Sequence, residues 1–137
     1  MEELSIKNKE LLFNDLCARL PYGVIVKYKS REKEGNVKMT HGNIGYVAEL
    51  GNSWWKECKP YLRPISSITD KEKIELERII NGILGYKAIN YFHSEDDYKW
   101  NTLYEAIDWF NAHHFDYRGL IEKGLAIAVT EENNPYK

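Results

Sequence analysis

The chain has 137 residues, of which 43% are hydrophobic and 29% are charged, and its formal net charge is −2. This composition is ordinary for a globular protein, so it argues against disordered and fibrous classes. The slightly negative charge argues against a dedicated duplex-DNA binder, which needs a basic footprint to neutralise phosphates. We expect a single domain over residues 1–137, with a tail that frays from about residue 131.

The N-terminal stretch MEELSIKNKELL is charged and has no apolar run, so it does not resemble a signal peptide. No apolar run in the chain approaches the length that spans a bilayer. The two cysteines, Cys17 and Cys58, lack the spacing of a metal or redox motif and are expected to be reduced. We therefore predict a cytoplasmic protein with no membrane partner.

The first part of the chain predicts one helix followed by short strands. Residues from about 8 to 20 place Leu12, Leu16 and Arg19 on one side at helical spacing. Runs of β-branched and aromatic residues separated by turn residues then predict strands, with the charged segment 30–36 as the first turn. The predicted strands are 24–28, 37–40, 44–50 and 54–58. Together they predict a short antiparallel meander or a small, partly open barrel.

Residues 59–80 predict an extended arm that leads into a capped helix. Pro60 and Pro64 fix φ and hold the preceding residues outside the helical region. Thr69 is the predicted N-cap, and Glu72 at the third helical position completes a capping box.

The second part of the chain predicts helices with little additional sheet. Glycines predict that the capped helix ends between residues 80 and 84. A strand over 86–93, an acidic turn over 94–97 and an amphipathic helix over 99–114 are predicted next. A closing strand is predicted over 124–130. With about three helices beside a short sheet, the predicted fold class is α+β.

Catalytic, metal and cofactor motifs are missing from the sequence. His113 and His114 are adjacent, so on a helix they point about 100° apart and cannot readily share one metal ion. Ser53 lies in GNSWW, which lacks the second glycine of a nucleophile elbow. No phosphate-binding or dinucleotide-binding glycine loop is present. We therefore expect no metal, no cofactor and no enzymatic activity.

Two groups of aromatic and basic residues form the predicted ligand-binding site. Aromatic faces stack on planar groups, and lysine and arginine pair with phosphate or carboxylate, so the mixture suits a nucleotide-like or acidic partner. The alternative is that these residues are core and ordinary surface, since two adjacent tryptophans on a strand face opposite sides and at least one is expected in the core. The first group is Trp54, Trp55, Lys56, Lys59, Tyr61 and Arg63, and the second is His114, Tyr117 and Arg118.

Three stretches of the chain resemble a family of short uncharacterised proteins from Bacteroides-type gut bacteria and their phages. They are LCARLPYGVI (residues 16–25), KPYLRPISSIT with the acidic helix start after it (59–75), and DWFNAHHFDYRGLIEKGLAI (108–127). The resemblance covers about half of the chain. It implies a phage-associated or prophage-associated protein of a bacterial cytoplasm, and it implies no particular activity for any residue.

From these observations we expect a non-enzymatic binding protein that sequesters a small anionic ligand, such as a host signalling nucleotide in a phage–host conflict. A second hypothesis is a protein-interaction or structural accessory module with no small-molecule ligand. A third is an enzyme whose catalytic residues are dispersed along the sequence. The sequence does not fix the oligomeric state, and a homo-oligomer with a site at a twofold interface remains open.

Overall fold

The computed structural model describes residues 4–89 and 95–137, with side chains described for 4–79 and 104–137. The described residues form an α+β fold, as predicted. Two short 3₁₀ turns, Leu20–Tyr22 and Ile65–Ser67, join longer elements. In chain order these longer elements are α1 (Ile6–Arg19), β1 (Ile25–Ser30), β2 (Glu34–Lys38), α2 (Ile44–Ala48), β3 (Trp55–Leu62), α3 (Asp70–Ile89), α4 (Glu95–Ala112) and β4 (Ile127–Ala128).

The four described strands form one open sheet in the order β2-β1-β3-β4. β1 pairs antiparallel with β2 and with β3, whereas β3 pairs parallel with β4 through Tyr61 and Leu62. The sheet is therefore mixed and does not close into a barrel. β3 continues through Pro60 to Leu62, so the start of the predicted extended arm, residues 59–62, belongs to this strand, whereas Ile65–Ser67 forms a 3₁₀ turn.

A hydrophobic core fills the space between α1, α2, one face of the sheet and the segment before β4. The apolar side chains of α1 and β3 point toward this core. The turn that follows α4 covers the opposite side of the core. The buried core residues are Leu12, Leu16, Val24, Val26, Met39, Val47, Leu50, Trp55, Cys58, Leu62, Leu120, Leu125 and Ala126.

The predicted strand over residues 44–50 is wrong, because Ile44–Ala48 forms the short helix α2. The segment before it is turned by Asn43, whose side-chain oxygen accepts the Thr40 N–H at 2.7 Å. Val47 in α2 and Leu50 in the turn after it are three residues apart and are both buried. Because Ile44 and Leu50 also fit a period of two, the apolar pattern alone did not distinguish strand from helix.

The predicted end of the capped helix is also wrong, because α3 continues to Ile89. A glycine inside a helix costs only about 1 kcal/mol, and α3 lies against α4. The predicted strand 86–93 therefore falls in α3 up to residue 89, and its remainder lies outside the described residues. Likewise, residues 95–97 of the predicted acidic turn belong to α4. None of the described helices is both long and apolar enough to cross a membrane.

The remaining strands differ from the predictions at their ends. Ser30 N–H donates to the Lys33 carbonyl at 2.7 Å, so the turn between β1 and β2 is confined to residues 31–33. Gly35 and Asn36 lie within β2 rather than in the turn. β4 is only two residues long, much shorter than the predicted closing strand over 124–130.

The predicted capping box of α3 is confirmed. Glu72 N–H donates to Thr69 Oγ1 at 3.2 Å, and Thr69 N–H donates to Glu72 Oε1 at 2.9 Å. These bonds satisfy two backbone donors that would otherwise have no partner in the helix.

We expect Thr69→Ala to lower the free energy of unfolding by about 1 kcal/mol, because it removes the acceptor for the Glu72 N–H. Urea denaturation measures this change. Ser66→Ala, an exposed site in the preceding 3₁₀ turn, is the matched control and should leave stability nearly unchanged. Equal effects of the two substitutions would contradict a capping role.

Candidate functional site

An extra residue in β3 decides which side chains of the first predicted group are buried. β1 pairs Lys29 with Glu57 and its next residue, Ser30, with Trp55. Lys56 is therefore the extra residue of a β-bulge, which shifts the alternation of side chains along the strand. Lys56 is consequently exposed beside Glu57 instead of entering the core.

The two adjacent tryptophans have different environments. Trp55 is only 4% exposed, and its ring stacks on that of Tyr28 with centroids 4.9 Å apart. Trp54 is 49% exposed. The prediction that at least one of the two tryptophans lies in the core is therefore confirmed. The buried ring of Trp55 has no free face on which a ligand could stack.

Tyr61 is 8% exposed and holds neighbouring elements together. Its hydroxyl donates to Asn36 Oδ1 at 3.0 Å, across the sheet. Its carbonyl accepts the hydroxyl of Tyr136 at 2.7 Å, and the same Tyr136 oxygen accepts the Ile25 N–H at 3.1 Å. Burial raises the pKa of Tyr136 to about 12, and the bond from the Ile25 N–H and the charge of Arg19 oppose this rise. Tyr61 thus has a structural role.

Arg63 is occupied by contacts within the chain. Its guanidinium makes two bonds of 2.6 and 2.7 Å to the Glu72 carboxylate, and Nη2 also donates to the Ser67 carbonyl. The guanidinium lies 4.1 Å from the centroid of the Phe115 ring. The bonds from Arg63 lower the pKa of Glu72 to about 2. Arg63 therefore joins β3, α3 and the segment after α4.

The second predicted group, at the end of α4, is likewise tied into the fold. Arg118 Nε lies 3.5 Å from Asp15 Oδ1, and its Nη2 lies 3.4 Å from the Tyr117 hydroxyl. The ring of His114 stacks on that of Tyr136 with centroids 3.8 Å apart. Burial is the main reason that the pKa of His114 falls to about 4. The structure does not bring this group together with Lys56 and Lys59.

The Asp15–Arg19 ion pair lies at the centre of these contacts. Both side chains are 0% exposed, and Arg19 Nε donates to Asp15 Oδ2 at 2.8 Å. Arg19 Nη2 donates to the Phe115 carbonyl at 2.7 Å. Burial raises the pKa of Asp15, and the nearby guanidinium of Arg19 opposes that rise. The sequence had placed Arg19 on the apolar side of α1, but it gave no indication that its partners would be Asp15 and Phe115.

A cleft of about 380 Å³ lies between the start of α1, the bulged part of β3 and the turn before β4. Its volume falls within the range of small-molecule sites. We call it the lysine pocket, because the side chains around it include Lys9, Lys56, Lys59 and Lys123. Its other lining residues are Leu4, Leu50, Glu57, Cys58, Gly124 and Leu125.

The lysine pocket has an excess of positive charge. Four lysines line it against one carboxylate, that of Glu57. Within residues 4–79 and 104–137, none of these lysines forms an ion pair. Burial raises the pKa of the Cys58 thiol to about 12, so this thiol is protonated at neutral pH. The described part of the chain contains no group of three or more His, Cys, Asp or Glu residues that could hold a metal.

Of the residues that line the lysine pocket, only Lys56 and Lys59 belong to the ligand-binding group predicted from the sequence. Lys9 comes from α1 and Lys123 from the turn before β4, and both are far from β3 in sequence. They line one pocket only because the fold brings these segments together. Neither residue belongs to a motif, so no local pattern could have found them.

We expect Arg19→Met to lower the free energy of unfolding by about 3–5 kcal/mol, because it leaves the buried Asp15 carboxylate without its principal partner. The double variant Asp15→Leu with Arg19→Met should recover much of this loss. Urea denaturation of both variants tests the expectation. A double variant less stable than the single one would contradict it.

The pKa of His114 predicts a loss of stability in mild acid. An unfolded histidine has a pKa near 6.5 and the folded one about 4, so the unfolded chain binds more protons between these values. This contribution is complete above pH 6.5 and is lost as the pH falls toward 4. We expect a loss of about 2 kcal/mol from this group between pH 7 and pH 5.

Urea denaturation at several pH values measures this loss. His114→Asn should flatten the dependence, and asparagine tolerates the positive φ of 62° at this position. His41→Asn, at an exposed turn, serves as the control and should preserve the wild-type dependence. An unchanged pH dependence in the His114 variant would refute the assignment.

Comparisons with protein-family models, with curated proteins and with solved structures find no match to this chain. A proposal about function must therefore rest on the chemistry of the sites themselves.

Proposed function

We propose that the protein is a binding module that takes a small anionic ligand in the lysine pocket. The observation on which this proposal depends is the convergence of four unpaired lysines and one carboxylate on a single cleft within the described part of the chain. Lysine ammonium groups bind phosphate and carboxylate as mobile point charges. A phosphate-bearing or carboxylate-bearing ligand fits this lining best.

The floor of the pocket favours a ligand with some apolar surface. Leu50, Cys58 and Leu125 are at most 3% exposed and lie among the lining residues. A ligand with an anionic end and a less polar body would contact both regions. A host signalling nucleotide, the example expected from the sequence, belongs to this class.

The same lining favours binding over catalysis. Its thiol, that of Cys58, is protonated because burial raises its pKa to about 12. Glu57 is the one carboxylate among the described lining residues, so the pocket has no acid and base pair. Cations and apolar surface are suited to holding an anion in place.

Substitution of two pocket lysines tests this proposal. Isothermal titration with pyrophosphate, ADP, cyclic AMP and citrate compares phosphate and carboxylate ligands. We expect at least one of them to bind, and we expect Lys56→Ala with Lys123→Ala to raise its Kd about tenfold or more, because two charged contacts are lost.

The matched control is Lys71→Ala with Lys73→Ala, which makes the same change of charge at exposed positions of α3. It should leave the Kd nearly unchanged. Absence of binding for every probe up to about 1 mM would remove the proposal. Equal weakening by the two double variants would also remove it. Arg63→Ala and Trp55→Ala are unsuitable tests, because both side chains stabilise the fold.

A further inference from the structure

A second cleft, of about 220 Å³, continues the lysine pocket across the outer face of the sheet. Lys59 and Glu57 line both clefts. Lys27 and Lys29 of β1 line the second cleft only, and both are exposed on the face opposite the core. The two clefts share Lys59 and Glu57, and we call their combined lining the basic track.

The basic track contrasts in charge with the rest of the molecule. Its lining contains six lysines and two glutamates, whereas the chain as a whole has 19 basic and 21 acidic residues. The remaining 13 basic and 19 acidic residues leave a formal charge of −6 elsewhere. Positive charge is thus concentrated along one path. An anion that follows this path is attracted, whereas a broad anionic surface is repelled by the rest of the molecule.

The sheet places three of these lysines, Lys27, Lys29 and Lys59, at regular positions. Lys27 lies directly opposite Lys59 across β1 and β3. Lys27 and Lys29 point to the same face about 6.6 Å apart, at two residues of a strand. This interval is comparable to that of neighbouring phosphates along an extended nucleic-acid strand.

The pairing of Lys27 with Lys59 across the two strands also has a cost in free energy. Like charges directly opposite each other destabilise a sheet. Lys27 has a partial counter-charge in Glu34, whose carboxylate lies 3.2 Å from the ammonium group, but this pair is about half exposed and therefore weak. Lys59 has no ion pair within the side chains that the structure describes. An anion bound between the two ammonium groups would remove the repulsion.

We propose that, beyond the small anion of the lysine pocket, the protein binds a single-stranded nucleic acid whose phosphates follow the basic track from Lys56 and Lys123 past Lys59 to Lys27 and Lys29. This inference rests on the proposed anion-binding function and extends it to a polyanion. A regular polyanion matches cations held at fixed intervals on two strands better than the flexible carboxylates of an acidic peptide do. Because the track is lined mainly by lysines, binding depends on phosphates and shows little sequence preference.

Fluorescence anisotropy with a labelled deoxythymidine dodecamer tests the inference. For about four engaged phosphates, Kd should rise about 50-fold between about 50 and 200 mM salt. Lys27→Gln with Lys29→Gln should weaken oligonucleotide binding and lower the slope of log Kd against log salt by about 1.4, because two phosphate contacts are lost. The same variant should weaken pyrophosphate binding in the lysine pocket much less than it weakens oligonucleotide binding, because neither residue lines that pocket.

Three further probes make the result specific. Lys71→Gln with Lys73→Gln is the control for charge and should bind as the wild type does. A duplex of the same length should bind more weakly than the single strand. A glutamate dodecamer that bound as tightly as the oligonucleotide would overturn the assignment to nucleic acid.

The failure of this inference and of the proposed function can be told apart. Pyrophosphate binding without tighter binding of the oligonucleotide would overturn the single-strand inference and leave the lysine pocket intact. Loss of all anion binding would overturn both. The third outcome is oligonucleotide binding that neither pair of substitutions, Lys56 with Lys123 or Lys27 with Lys29, weakens. The strand would then bind elsewhere, and the basic track would be refuted as its site.

Discussion

The fully buried ion pair between Asp15 and Arg19 is the interaction on which the arrangement of the other elements depends. Arg19 belongs to α1 and donates to the carbonyl of Phe115, after α4, at 2.7 Å. A guanidinium is tolerated away from water only while it is paired and hydrogen-bonded. The segment after α4 cannot leave α1 without removing one of these partners. The pair need not add much net stability, but it fixes one position for both segments.

Backbone hydrogen bonds connect this ion pair to the wall of the lysine pocket. The Arg63 N–H donates to the His114 carbonyl at 2.7 Å, and the Asp116 N–H donates to the Arg63 carbonyl at 2.9 Å, which aligns the segment with the end of β3. The Asp116 carboxylate then accepts the Leu120 N–H at 2.9 Å and turns the chain back toward the sheet. This turn leads to Lys123. The wall of the pocket is therefore positioned by contacts made far from it.

Structural features that depend on residues close together in the sequence were predictable. Features that depend on contacts between distant segments were not. The capping box of Thr69 and Glu72 depends on residues three apart, so its pattern was sufficient. Residues 44–50 fit two periods equally well, and only the position of the core selects the helix. The first predicted group consists of aromatic and basic residues that are close together along β3. The β-bulge in this strand and the carboxylate partner of Arg63 give several of them structural roles. Lys9 and Lys123 reach the pocket from separate segments, which no local pattern reveals.

Three arginines of the fold and two lysines of the lysine pocket have different surroundings. Arg19, Arg63 and Arg118 each contact a carboxylate within the chain, and the planar guanidinium suits such fixed geometry. Lys56 and Lys59 have no such partner among the described side chains. An ammonium group on a flexible stem keeps its charge available to an anion from solution. Clustering such groups raises their mutual repulsion, so a bound anion gains both attraction to each lysine and relief of that repulsion.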